Sequence, residues 1–288
     1  MSRPIRRPVS FLVIDRFKQL PASIRELSRT VRLASSGPGG DVPTLLVHPD
    51  WVSPAPAVLW MHGRTANKEL DPGRYARWTK TGLATIAIDL PGHGERPGGL
   101  GQAPAHELIA LALPEIDRVL ERLAEPVWQG VFDLDRVAIG GMSLGGMVAL
   151  RRLCDAHAFK CAAVEGTTGD IWPLYQLPIN AASSSSGSTH DQVSPMNPVD
   201  HLARFAPIPL LALHSEGDRM VPWNAQLGFL KKLQARYEQA GADPELVQWR
   251  TWVDTGAPEE HIGFGRVSNE AKNVQCDFLA ARLKPGNS

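Results

Sequence analysis

Ser143 stands in Gly141-Met142-Ser143-Leu144-Gly145, between a short apolar run, 137–139, and a helix-forming run, 144–156. A serine hydroxyl becomes a nucleophile when a neighbouring base takes its proton. A strand-to-helix turn with tiny flanking residues exposes that hydroxyl at the carboxyl end of a sheet, facing the positive end of the next helix. The competing reading is a glycine turn that serves only close packing. The base has one well-placed candidate among nine histidines: His261, in Gly256-Ala-Pro-Glu-Glu-His261-Ile-Gly263, follows the last candidate strand and precedes the last helix. A carboxylate that fixes the imidazole tautomer belongs between the two in the chain, at a strand end. Asp218 occupies that place, after Leu210-Leu-Ala-Leu-His214. Asp254 and Glu165 are its rivals. An acyl-transfer site also needs two N–H donors for the developing oxyanion, and losing one typically costs roughly 100- to 1000-fold in rate. Leu144, just after the serine, offers one. Arg64, in His62-Gly63-Arg64-Thr65 after the run 57–61, offers the other.

Continuous apolar runs at 57–61, 83–88, 137–139, 161–164 and 208–213 suit strands buried on both faces of a parallel sheet. Helical spacing is found at 71–81, 104–123, 144–156 and 225–240, and Val267, Ala271, Val274 and Phe278 form a last apolar stripe. Pro114, inside the second of these, is expected to kink or split it. Strand and helix alternate from about residue 55 onward, the pattern of a doubly wound α/β sheet. Before it, 29–33 and 42–48 flank the turn Gly37-Pro-Gly-Gly-Asp41 and predict a hairpin. The interval 166–205 breaks the alternation. It holds Trp172-Pro-Leu-Tyr175 and then Ala182-Ser-Ser-Ser-Ser-Gly-Ser188, and reads as a cap or lid-like insertion within one domain spanning 1–288.

With 30 basic and 30 acidic residues, the formal net charge of zero gives no electrostatic footprint for nucleic acid or an anionic membrane. The stretch Arg3 to Arg7 is locally basic. Cys154, Cys161 and Cys276 show no CxxC spacing, which suits reduced thiols rather than disulfides or a cysteine zinc site. The run 9–14 is too short for a secretory segment, and no run reaches membrane-helix length. A cytoplasmic location is the expectation. No cofactor motif and no metal-ligand spacing are present, so neither is expected.

Met61-His-Gly63, Ile88-Asp-Leu-Pro-Gly-His-Gly94, Gly141-Met-Ser-Leu-Gly-Gly146, Gly217-Asp218 with Val221-Pro222, and His261 together resemble the α/β-hydrolase superfamily. Within it they look like the dienelactone-hydrolase-like and prolyl-oligopeptidase-like serine esterases. The resemblance covers the chain from about residue 42 onward. Dienelactone hydrolase proper has a cysteine nucleophile where this chain has Ser143. The His-Gly-Arg loop differs from the His-Gly-Gly-Gly of many lipases, and Lys68 is similar to the HG-x(4)-K pattern of some bacterial esterases. The resemblance implies an α/β fold with a mostly parallel sheet, and a Ser143, His261 and Asp218 triad acting on carboxylic esters of small molecules. A peptidase or amidase on the same triad, and a non-catalytic binding member of the fold, are the alternatives. His62 and His93 are expected to shape loops through backbone bonds. The tryptophans Trp172, Trp223, Trp249 and Trp252 are expected in the core, with Trp172, and Met142 beside the serine, lining a substrate pocket. The clustered apolar residues Ile171, Trp172, Leu174, Tyr175, Leu177 and Ile179 predict a wall suited to short acyl groups.

Overall fold

The structure, a computed structural model, describes residues 15–33, 40–96, 98–177 and 187–284. The basic leader, most of the 37–41 turn, Ile179 and the serine run 183–186 lie outside the described residues.

The chain forms α1 (Ala22–Arg25), β1 (Ser28–Leu33), β2 (Val42–Val47), β3 (Ala55–Met61), α2 (Pro72–Lys80), β4 (Ala84–Ile88) and α3 (Ala105–Leu123). Then come β5 (Phe132–Met142), α4 (Leu144–Arg152), β6 (Cys161–Glu165), α5 (His190–Val193), β7 (Leu210–Ser215), α6 (Trp223–Gln239), β8 (Val247–Trp252) and α7 (Ser268–Leu283). Among the described residues eight strands join one sheet in the order β1-β2-β4-β3-β5-β6-β7-β8. β2 runs antiparallel to β1 and β4; every other pairing is parallel. This is the α/β-hydrolase architecture, with the expected N-terminal antiparallel pair.

Alternation along the central strands divides the core into two layers. Leu59 and Met61 of β3, Ile139 of β5 and Val164 of β6 pack with residues of α3, α4 and α6. Val58 and Trp60, Ala138, and Cys161 and Ala163 pack with residues of α1, α2 and α7. Side chains of period two, buried on both faces, explain why these strands read as unbroken apolar runs.

Three expectations need correction. Pro114 neither splits nor ends α3, which runs from Ala105 to Leu123 with Pro114 inside. Buried Leu108, Ile109 and Ala112 precede it and Glu115, Ile116 and Val119 follow it on the same core-facing side, and Pro114 itself faces solvent. Continuous burial on both flanks outweighs the local cost of a missing N–H. α4 stops at Arg152, not 156, where the Arg152 guanidinium bonds the Ala156 carbonyl and closes the turn. Trp249 is 37% exposed, because β8 is an edge strand whose outer residues face water. Trp252 is buried, and Trp172 and Trp223 pack half-buried against the core. The three cysteines are free and buried.

Candidate active site

The parallel strands β5, β6, β7 and β8 lie side by side, so their carboxyl ends share one edge of the sheet. β5 ends at Met142, and Ser143 follows as N-cap of α4 with φ 51° and ψ −118°. A non-glycine residue there is strained by roughly 1–3 kcal/mol, which the surroundings must hold in place. The Ser143 N–H donates to the Glu165 carbonyl of β6 at 2.8 Å. The Ser143 carbonyl accepts from the Thr167 hydroxyl at 2.7 Å. A Cβ on Gly145 would run into the carbonyls of Met61 and His62, and one on Gly146 would meet the Thr167 side chain. The glycines therefore serve packing and the tight turn together: α4 sits directly on β3, and Ser143 stands above it, itself buried.

His261 lies in the loop between β8 and α7, and Asp218 in the loop after β7. The imidazole Nδ1–H donates to Asp218 Oδ2 at 2.7 Å. Nε2 is thereby left as an acceptor, and the Ser143 hydroxyl donates to it at 2.9 Å. Asp218 Oδ1 accepts from the N–H groups of Met220 and Val221 at 2.8 and 2.7 Å. Burial opposes a charge on Asp218, but the donors His214 and His261 and the Val221 N–H outweigh it and hold the carboxyl below its usual range. A neutral imidazole in this tautomer, backed by an ionised carboxylate, can take the serine proton.

The rival carboxylates have other partners. Glu165 forms a two-point bridge with the buried Arg74 at 2.6 and 2.8 Å and accepts from Gln275 Nε2 at 2.8 Å. Asp254 is exposed and bridges Arg266 at 2.6 Å.

The 62–65 loop comes close to the serine: a Cβ on Gly63 would lie 3.4 Å from the Ser143 Cβ. Leu144 is the first residue of α4, so its N–H has no intrahelical acceptor. Among the described residues the Arg64 N–H makes no backbone hydrogen bond either. The loop is fixed from below by His62, whose Nδ1–H donates to the Gly63 carbonyl at 2.7 Å and whose Nε2 accepts from the Leu90 N–H at 3.1 Å. Burial pushes that imidazole down to about 4, so it stays neutral. His93 likewise bonds the Pro91 carbonyl at 2.8 Å. Lys68 is buried and bridges Asp89, Glu95 and Glu69 at 3.0, 2.6 and 2.8 Å, tying the 62–69 and 89–95 loops together.

Of the expected apolar wall, Ile171 and Leu174 turn into the core. Trp172 and Tyr175 stack with ring centroids 5.9 Å apart, and the Tyr175 hydroxyl holds the start of α3 through the His106 N–H and Nδ1. Gly166, where the 166–205 interval begins, lies against the His261–Asp218 pair. Met142 is half-buried, its sulfur 3.8 Å from a Cβ placed on Gly63.

Sequence reasoning missed two groups beside Ser143, His261 and Asp218. His214, buried at the end of β7, donates from Nε2 to the Val221 carbonyl at 2.8 Å and lies 3.4 Å from Asp218 Oδ2. Its position four residues before Asp218 was the available signal. Glu260, next to His261, accepts from the Ser215 hydroxyl, the Thr255 N–H and hydroxyl, and the Gly256 N–H, each at 2.7 Å. It joins the end of β7 to the histidine loop. Glu259 and Glu260 both have positive φ, 53° and 51°, so this loop is held against local strain. Nothing in the residue types announces that.

Residues 73–284 match the model of the prolyl oligopeptidase family, Peptidase_S9. The chain belongs to the prolyl oligopeptidase family. It is 26% identical over 258 residues to Esterase YjfP of Escherichia coli (strain K12), an alignment that covers 84% of this chain and 96% of that protein. Its fold is similar to that of an acylaminoacyl peptidase from Pyrococcus horikoshii, with a TM-score of 0.72, 15% identity and 91% of this chain covered. It is also similar to TT1662 from Thermus thermophilus, with a TM-score of 0.64 and 21% identity, covering 89% of this chain and 98% of that one. This chain spans 42% of the length of the acylaminoacyl peptidase. The protein is therefore a member of a serine hydrolase family with the α/β-hydrolase fold. Among the described residues no helix is long and apolar enough to cross a membrane.

Proposed function

We propose that this member of the family is a serine carboxylic-ester hydrolase of small esters, with Ser143 as nucleophile, His261 as general base and Asp218 as the group that orients His261. The observation that carries the reading is the continuous chain from Ser143 Oγ to His261 at 2.9 Å and from His261 to Asp218 at 2.7 Å. As Ser143 Oγ bonds to the ester carbonyl carbon, its proton passes to His261 Nε2. The N–H groups of Arg64 and Leu144 stabilise the oxyanion. Collapse of the tetrahedral adduct breaks the ester C–O bond, and the leaving alkoxide takes the proton from His261. Water then attacks the acyl-enzyme, His261 accepting its proton, and the acid leaves as Ser143 is restored. Asp218 stays ionised throughout and stabilises the imidazolium. No step calls for a cofactor or a metal ion.

The ester preference is supported by the relative named as an esterase, which this chain matches over nearly its whole length. The reading takes 166–205 as a small cap within a single domain, with Trp172 and Met142 beside the acyl group, and a cytoplasmic enzyme. The test is a panel of p-nitrophenyl esters and peptide anilides assayed on the purified protein. Turnover of esters of roughly C2 to C6 acyl groups, where each buried methylene adds about 0.8 kcal/mol at most, supports the proposal. Faster cleavage of anilides makes the protein a peptidase.

A further inference from the structure

Among the described residues four arginines are buried, and each has a carboxylate partner: Arg74 with Glu165, Arg96 with Glu115, Arg151 with Asp155 and Arg152 with Asp117. Lys68, also buried, has three. The rule is the expected one, since a cation removed from water needs a counter-charge. Half-buried arginines need not follow it: Arg25, Arg77 and Arg236 bond only carbonyl or amide oxygens, and so does Arg64. Its side chain is half-buried, and burial holds its guanidinium below the usual value with no carboxylate acting on it. All 30 aspartates and glutamates of the chain lie among the described residues, and none forms an ion pair with Arg64. Its polar contacts are with backbone alone: Nη1 donates to the carbonyls of Gly101 and Ala103 at 2.7 and 2.9 Å. Among the described residues Nε and Nη2 make no hydrogen bond, leaving open donors of the planar fork that matches a carboxylate.

The place of this charge gives it meaning. Arg64 follows Gly63, which abuts Ser143, and its own N–H is the proposed oxyanion donor. Its side chain reaches toward the wall made by 101–106 and Tyr175, whose phenol is close enough to act on the guanidinium. The charge thus lies one side-chain length from the reacting carbonyl. We propose that Arg64 is a specificity residue that binds an anionic group of the substrate, so that the natural ester carries a carboxylate a few carbons from the scissile bond. The inference rests on the ester-hydrolase reading and narrows it from small esters to acidic ones. The two bonds to Gly101 and Ala103 keep the guanidinium in one orientation, so the substrate meets a preformed site.

Binding and turnover test it separately. Calorimetric titration of the Ser143→Ala protein with monomethyl glutarate reads binding without chemistry. Saturable binding that weakens at least about tenfold when Arg64→Gln is added, the usual effect of losing a charge-assisted hydrogen bond, supports the inference. Equal affinity with and without Arg64 overturns it, as does absence of binding in the Arg64-containing protein. In turnover, methanol release from monomethyl glutarate is compared with that from methyl pentanoate, and acetate release from 4-acetoxybutanoate places the carboxylate on the alcohol side. A preference of about tenfold or more for one of the two acidic esters, collapsing in Arg64→Gln, identifies the side on which the anion sits. Equal rates for acidic and neutral esters overturn the inference while leaving the esterase reading intact. Binding of monomethyl glutarate with no turnover of any ester keeps Arg64 as an anion site and sinks the esterase reading instead.

Discussion

Asp218 and Glu165 are both buried carboxylates at strand ends near Ser143, and their partners separate their roles. Asp218 faces His261, whereas Glu165 is saturated by Arg74 and Gln275. Asp218→Asn is expected to leave the fold intact and lower kcat by about 10⁴-fold, because the imidazole loses its productive tautomer. Glu165→Gln is expected to cost about 1–3 kcal/mol of stability, since Arg74 loses its two-point bridge and keeps only Asp71 as a carboxylate partner. Urea midpoints together with steady-state kinetics distinguish the two. Glu260 adds a pH signature. Burial opposes its charge, but the bonds from Ser215, Thr255 and Gly256 outweigh that and pull the carboxyl down to about 2, from an ordinary 4.5. A folded value below the unfolded one stabilises the protein fully above about pH 4.5, and that contribution is lost as pH falls toward 2. Wild-type Tm should thus drop more between pH 7 and pH 3 than that of Glu260→Gln. At neutral pH the variant's kcat should fall with little change in KM, because the His261 loop loses its tie to β7. Identical Tm shifts and identical kcat in the two proteins would remove Glu260 from this role.

At the scale of elements, α3 carries Pro114 in its solvent-facing interior. Since an interior proline lacks the N–H and is about 3 kcal/mol less favourable than alanine, Pro114→Ala should raise stability by about 1–3 kcal/mol without touching turnover. Thermal unfolding and an ester assay check this; a lower Tm would mean that the helix uses the proline. The same helix shows what was legible in the sequence. The central strands were readable because burial on both faces makes them continuously apolar, and the order Ser143, Asp218, His261 placed one side chain at the end of each of three elements. The first half of β5 was not readable, because Asp133 to Arg136 is half-exposed and carries no apolar run. Glu260 was equally hidden: its partners come from Ser215, Thr255 and Gly256, and only the fold brings the first of these to the other two. Lys68 was noticed as part of a motif, but its buried bridges to two loops were visible only in three dimensions.

At the scale of the molecule, the sheet order sets the carboxyl ends of β5, β7 and β8 on one edge, and everything proposed for the site depends on that placement. Among the described residues of 166–205, Ile171 and Leu174 are spent in the core and Trp172 and Tyr175 stack on each other, which leaves little apolar surface there. The dependence of kcat/KM on acyl length is therefore expected to peak between about C2 and C6, given about 0.8 kcal/mol per buried methylene and room for only a few. A maximum at C12 or longer, or activation at an oil–water interface, would show a far larger apolar surface than these residues form. All of this presupposes that Ser143 is the nucleophile. The most direct measurement is stoichiometric labelling with a fluorophosphonate probe, followed by peptide mapping, on the wild type and on Ser143→Ala. The account predicts one label per chain, on Ser143, with labelling and ester turnover both abolished in the variant. A label on another serine, or a Ser143→Ala protein that still turns over esters, would contradict it.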